Sequence, residues 1–187
     1  ITKRANCALV VDPDADVSEV TSRYSTRGLR PCVQVWPGEE AVDRRLADHG
    51  YRVVEPTLVL ARELDERPEG PGTSRIDDSP GPAWADRPER RILGQVRTAY
   101  GVAERGLGRG AAVLDGESVG VCGMFTEPHA RGRGTAGRLL ADLLGWAHDR
   151  GARRAYLCVV ADNVSALRSY ERSGFVGVSE YHNRVLP

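Results

Sequence analysis

The chain has 187 residues, enough for one large domain or two small ones. Its 26 basic and 26 acidic residues balance, so no overall field draws it to nucleic acid or an anionic membrane. At 41% hydrophobic it can pack a core, and it has neither a membrane-length apolar run nor a leader pattern, so a soluble cytoplasmic protein is expected. Ile1 is not an initiator methionine, which leaves room for residues upstream. Cys7, Cys32, Cys122 and Cys158 sit in apolar, strand-like runs without metal spacing. They read as buried thiols in a reducing compartment, and no metal site is expected.

Apolar periodicity gives a strand over 5–11, a helix over 17–27, a strand over 32–36, a helix over 40–48 and an extended run over 51–62. Residues 65–82 carry Pro68, Pro71, Pro80 and Pro82 with Gly70, Gly72 and Gly81, the composition of a mobile linker. Then come a helix over 88–96, strands over 100–105 and 110–114, and the hairpin signal Asp115-Gly116. A strand over 119–126, a helix over 135–149, a strand over 155–160 and a helix over 163–172 follow, with Phe175 opening a last extended run. Residues 1–64, 65–82 and 83–187 are therefore expected to be a first segment, a linker and a second domain.

The order strand, helix, strand, helix, extended run occurs on both sides of the linker. Gly50-Tyr51 and Gly174-Phe175 lie 124 positions apart, and at that offset Val33 and Val35 fall on Leu157 and Val159, and Leu46 on Tyr170. This reads as a weak internal repeat.

Between the strand over 119–126 and the helix over 135–149 stands Arg131-Gly132-Arg133-Gly134-Thr135-Ala136-Gly137. A strand that feeds a glycine turn and then a helix presents backbone N–H groups at the positive end of the helix dipole, a site for phosphate or pyrophosphate. A P-loop is excluded, because Arg138-Leu139 stand where lysine and a hydroxyl are required. Gly132, Gly134 and Gly137 also spell a dinucleotide fingerprint, with Asp162 as its acidic partner. Five residues separate that strand from Gly132, however, and about 25 residues after Asp162 are too few for a doubly wound sheet. A glycine loop that merely turns the chain is the plain alternative.

Thr126-x-Pro128-x-x-Arg131-x-x-Gly134-x-Ala136 resembles the pyrophosphate loop of the GNAT superfamily of acyl-CoA-dependent N-acyltransferases. A second block, Asn163-x-x-Ala166-x-x-x-Tyr170-x-x-x-Gly174-Phe175, resembles that family's following helix. The match covers residues 84–187.

The resemblance implies an α/β fold: a mixed, mostly antiparallel sheet with splayed central strands, flanked by helices and here preceded by a half-copy of the same unit. It implies acetyl-CoA as the donor of an acetyl group to a primary amine, and a tandem chain whose first copy is degenerate. Asp12, Asp14 and Asp16 replace the glycine loop in that first copy and would repel a pyrophosphate. The cofactor residues implied are Met124, Phe125 and Thr126 along the strand, Arg131, Gly132, Arg133, Gly134, Thr135, Ala136 and Gly137 in the loop, and Asn163. Tyr170 is the expected proton donor to the leaving thiolate. Glu127 is the nearest of several candidate bases, which include His129, Glu117, Glu180 and His182.

His182 reads more naturally as a packed side chain, Asn163 as a helix cap or cofactor contact, and Trp36, Trp84 and Trp146 as core or pocket aromatics. A small molecule or a peptide remains open as the amine, and self-association as a homodimer is left open. The rival functions are a non-catalytic acyl-CoA sensor module and a dinucleotide-binding protein.

Overall fold

The computed structural model describes residues 6–187. In chain order the elements begin β1 (Ala8–Leu9), α1 (Val17–Ser25), β2 (Cys32–Val35), α2 (Glu40–Asp48), β3 (Arg52–Glu63) and β4 (Arg75–Asp77). They continue α3 (Arg90–Leu93), β5 (Thr98–Val102), β6 (Gly108–Asp115), β7 (Ser118–Thr126), α4 (Thr135–His148), β8 (Arg154–Val160), α5 (Val164–Arg172) and β9 (Val176–Val185). The expected strand over 5–11 shrinks to two residues, and its first position lies outside the described residues. The expected helix over 88–96 is a single turn, because Gly94 caps it.

Two compact units result, each discontinuous in the chain. The first holds residues up to Val59 with Val159–Asn163 and Val178–Pro187, and the second holds Leu60–Cys158 with Val164–Gly177. The contiguous division at 64 and 83 does not coincide with either.

In the first unit β1, β2 and β9 are neighbours in that order. β1 runs parallel to β2, with Ala8 opposite Val33, and β9 runs antiparallel to β2 from Cys32↔Val185 to Val35↔His182. All four residues of β2 are buried, as a strand covered on both sides demands. Val42 and Leu46, one turn apart on α2, close the core against Val17, Val33, Val35 and Tyr51. The parallel start of β1 beside β2 brings Cys7 and Cys32 to a Cα separation of 4.7 Å, and they form a disulfide. This corrects the expectation of four thiols: only Cys122 and Cys158 remain reduced, both half-buried.

In the second unit the strand order is β8-β7-β6-β5-β4. All neighbours are antiparallel except β7 and β8, which are parallel. Asp115 pairs with Ser118 around Gly116 at φ 54°, the hairpin expected there. The stretch read as a linker carries β4 and is tied down: the Asp142 carboxylate accepts the N–H groups of Gly72 (2.9 Å) and Ser74 (3.0 Å).

Leu139, Leu140, Leu143 and Leu144 give α4 a stripe that is at most 1% exposed. The sheet makes room for it with two glycines that face each other across β5 and β6, Gly101 and Gly110. A Cβ on Gly101 would stand 2.8 Å from Leu139 Cδ1 and 3.1 Å from Leu143 Cδ2.

The splay follows from register. The β7–β8 ladder runs from Ser118↔Arg154 to Val121↔Leu157, yet β7 continues to Thr126. Just past the last pair it bulges at Gly123 (φ 62°), where its register against β6 shifts between Arg109 and Ala111.

Candidate active site

α4 begins where the loop ends. Its N-cap is Gly134 in the left-handed conformation (φ 76°), and no side chain caps its first turn. The leading N–H groups of a helix have no partner within it. Those of Thr135, Ala136 and Gly137 therefore point outward at the positive end of α4. Gly132 is also left-handed (φ 74°), a conformation costly for residues with a Cβ. Cβ atoms on Gly132 or Gly137 would meet nothing within 4 Å, so the approach to the main chain is open.

The protein braces this turn from behind. Thr135 Oγ1 donates to Ala130 O (3.4 Å), Arg138 Nη1 to Arg133 O (2.9 Å), and Arg131 Nε to Thr126 O (3.2 Å). Arg131 and Arg133 are exposed at the rim. The fit to a diphosphate is good: open amides, a dipole of the right sign, adjacent arginines and no carboxylate within the loop.

Met124, Phe125 and Thr126 lie on the part of β7 beyond its last β8 pair, and their side chains are half-buried. Glu127 follows, half-buried, with its N–H donated to Leu107 O (2.9 Å). Tyr170 is half-buried on α5, its ring 6.1 Å from that of Phe175 at 62°. These belong to the second unit. Asn163 belongs to the first, in a turn where its N–H donates to Val160 O (3.0 Å), one residue before α5.

In the first unit the N-terminus of α1 is closed by a side chain. Asp16 caps α1: its carboxylate accepts the Ser18 N–H at 2.8 Å. That helix terminus is already satisfied by the chain's own anion.

Sequence reasoning understated His182. Its Nε2 lies 2.6 Å from Asp43 Oδ1, and Arg184 grips the same carboxylate through Nε (2.7 Å) and Nη2 (2.7 Å). The Arg184 guanidinium, and then His182, hold the Asp43 carboxyl at about 2 against the ordinary 3.8, over the opposing effect of burial. The partners lie 139 and 141 positions apart, so no local spacing reveals them. Of the tryptophans, Trp84 and Trp146 are core, whereas Trp36 is half-buried against Tyr181.

Open helix amides beside a splayed, bulged strand define an acetyltransferase of GNAT type. The family model described as "Probable histone acetyltransferase Rv0428c C-terminal" matches residues 1–185, and the chain belongs to that family. It is 26% identical over 214 residues to an uncharacterized N-acetyltransferase, YobR, of Bacillus subtilis (strain 168), covering 99% of this chain and 86% of that one.

Among solved structures it resembles a GCN5-related N-acetyltransferase from Kribbella flavida (TM-score 0.67, 17% identity, 94% of this chain and 77% of that one). It also resembles one from Sphaerobacter thermophilus (TM-score 0.59, 20% identity, 84% of this chain). The chain spans 60% of the length of that second structure. At these identities the structures bear on the fold alone, and the fold is the one the loop residues implied.

Proposed function

We propose that the protein transfers an acetyl group from acetyl-CoA directly to a primary amine, carried by a small molecule or a peptide. The observation that carries this is the uncapped N-terminus of α4, reached through two left-handed glycines at the end of a strand that has parted from its neighbour. The amides of residues 132–137 would hold the diphosphate, with Arg131 and Arg133 adding charge at its rim. Met124, Phe125 and Thr126 offer the free edge of β7 to an extended amide arm, as an added strand would use it. Bound there, acetyl-CoA supplies an acyl group activated as a thioester.

The chain's own residues supply the rest. A main-chain N–H of Met124–Thr126 stabilises negative charge on the acyl oxygen. In this reading Tyr170 holds the proton that the departing sulfur needs, and Glu127 is a candidate acceptor of the amine's proton. The first unit is a half-copy that has lost the cradle. Gly50 and Gly174 share φ 82°, and the N–H groups of Tyr51 and Phe175 donate to Leu46 O and Tyr170 O, each at 3.0 Å. These are equivalent bonds at equivalent positions, and they support a tandem origin. Asp16 has taken the ligand's place on α1. Because the donor is an intracellular metabolite, we place the activity in the cytoplasm; a count of free thiols after rapid alkylation in cells tests this against the Cys7–Cys32 bridge.

The test is calorimetry with acetyl-CoA and thiol release over a panel of amines. Gly134→Glu should abolish acetyl-CoA binding through charge and strained backbone. Tyr170→Phe should lower kcat at least tenfold while leaving acetyl-CoA affinity within about twofold. Native affinity in Gly134→Glu would remove the cradle. Binding without turnover of any amine would leave an acyl-CoA sensor.

A further inference from the structure

Within the first unit lies a cavity that the acyl-transfer reading does not use. It encloses about 330 Å³, a volume suited to a small ligand. One wall is aromatic: the rings of Trp36 and Tyr181 stand 4.8 Å apart at 36°. Val35, Pro37, Val53 and Pro56 extend the apolar lining, and Glu40, Asp43, Glu180 and His182 supply its polar groups.

These acids are not equivalent. Asp43 has its charge neutralised by Arg184, which binds both carboxylate oxygens, and it accepts the Nε2 proton of His182 as well. Glu40 and Glu180 are exposed, and among the described residues neither enters an ion pair. Glu40 Oε1 accepts the Gly38 N–H at 2.9 Å, and that bond lowers its carboxyl below the usual range. Two exposed carboxylates outside any such pair thus stand beside an aromatic face, Glu40 with Arg44 one helical turn on.

We propose that this cavity is a binding site for a small organic cation, a primary ammonium on an apolar or aromatic body. The ammonium is held by Glu40 and Glu180, while the body lies on Trp36, whose ring attracts the positive charge. An anion is excluded by the same two glutamates. A bare metal ion is disfavoured, because no group of three ligating side chains among the described residues is disposed to hold one. The proposal concerns this cavity alone and does not rest on acyl transfer.

The test is calorimetric titration of the full chain, without acetyl-CoA, using benzylammonium chloride, benzyl alcohol and benzoate. Benzylammonium should bind at least tenfold tighter than benzyl alcohol, and benzoate should give no heat. The double variant Glu40→Gln, Glu180→Gln changes two exposed positions and should keep the native melting temperature while losing at least tenfold in affinity for benzylammonium. Trp36→Ala should weaken it comparably; if that variant does not fold, the glutamate pair decides. Equal affinity for the alcohol and the ammonium, or native affinity in the double variant, would overturn the proposal. So would loss of binding in Glu127→Gln alone, which would put the cation in the second unit.

Discussion

Asp43 shows how one carboxylate couples pH to stability. Its pKa is about 2 in the folded chain against 3.8 ordinarily, and its side chain is 23% exposed. One pKa unit is worth 1.36 kcal/mol, so the ionised form stabilises the fold by about 2 kcal/mol. A depressed carboxylate contributes fully above its unfolded pKa, and the contribution is lost as pH falls from about 4 through the folded pKa of about 2. In urea unfolding, wild type should exceed Asp43→Asn by about 2 kcal/mol at pH 6, and that gap should shrink to about a third of its size at pH 2.5. A gap that did not change with pH would mean the pair acts through packing rather than charge.

The same cluster marks the limit of what the residues reveal in order. Gly132, Gly134 and Ala136 could be read because the turn they make, feeding a helix within seven positions, is local. Asp43, His182 and Arg184 meet only because β9 returns antiparallel to β2. Cys7 and Cys32 meet only because β1 lies parallel to it. Those pairings are set by the whole core, and no short window contains them.

Among the elements, α4 carries the most consequence for the proposed site, since its start would form the cradle and its leucine stripe fixes its position. The stripe was legible from its helical spacing. Its seat was not: Gly101 and Gly110 are ordinary strand glycines until the register sets them opposite each other under Leu139 and Leu143. Gly101→Val should destabilise by about 1–3 kcal/mol through overpacking. Because Leu139 lies in the second turn of α4, the variant should also weaken acetyl-CoA binding, although residue 101 touches no loop atom. Chemical denaturation and calorimetry on the same sample check both. Lost stability with native affinity would show that α4 holds its place without the seat.

The stretch over 65–82 shows the converse error. Proline and glycine content suggested mobility, but Asp142 on α4 captures two of its amides and β4 pairs with β5. Composition describes what a backbone can do alone, not what a distant carboxylate makes it do.

For the molecule as a whole, the governing fact is that neither unit is a continuous stretch of chain. The first unit borrows its third strand from residues 178–185, and Tyr181 and Val185 are buried there at 4% and 6% exposure. Deleting residues 178–187 should therefore unfold the first unit, exposing residues 6–59 to limited proteolysis. Protection of that segment in the deletion variant would show that it stands alone.

This arrangement also sets a schedule for synthesis. β2 leaves the ribosome about 150 residues before the strand it must pair with. At roughly 5–20 residues per second, its apolar face waits on the order of ten to thirty seconds. Throughout that interval the nascent first unit presents an unsatisfied sheet edge, a target for chaperones and for neighbouring nascent chains.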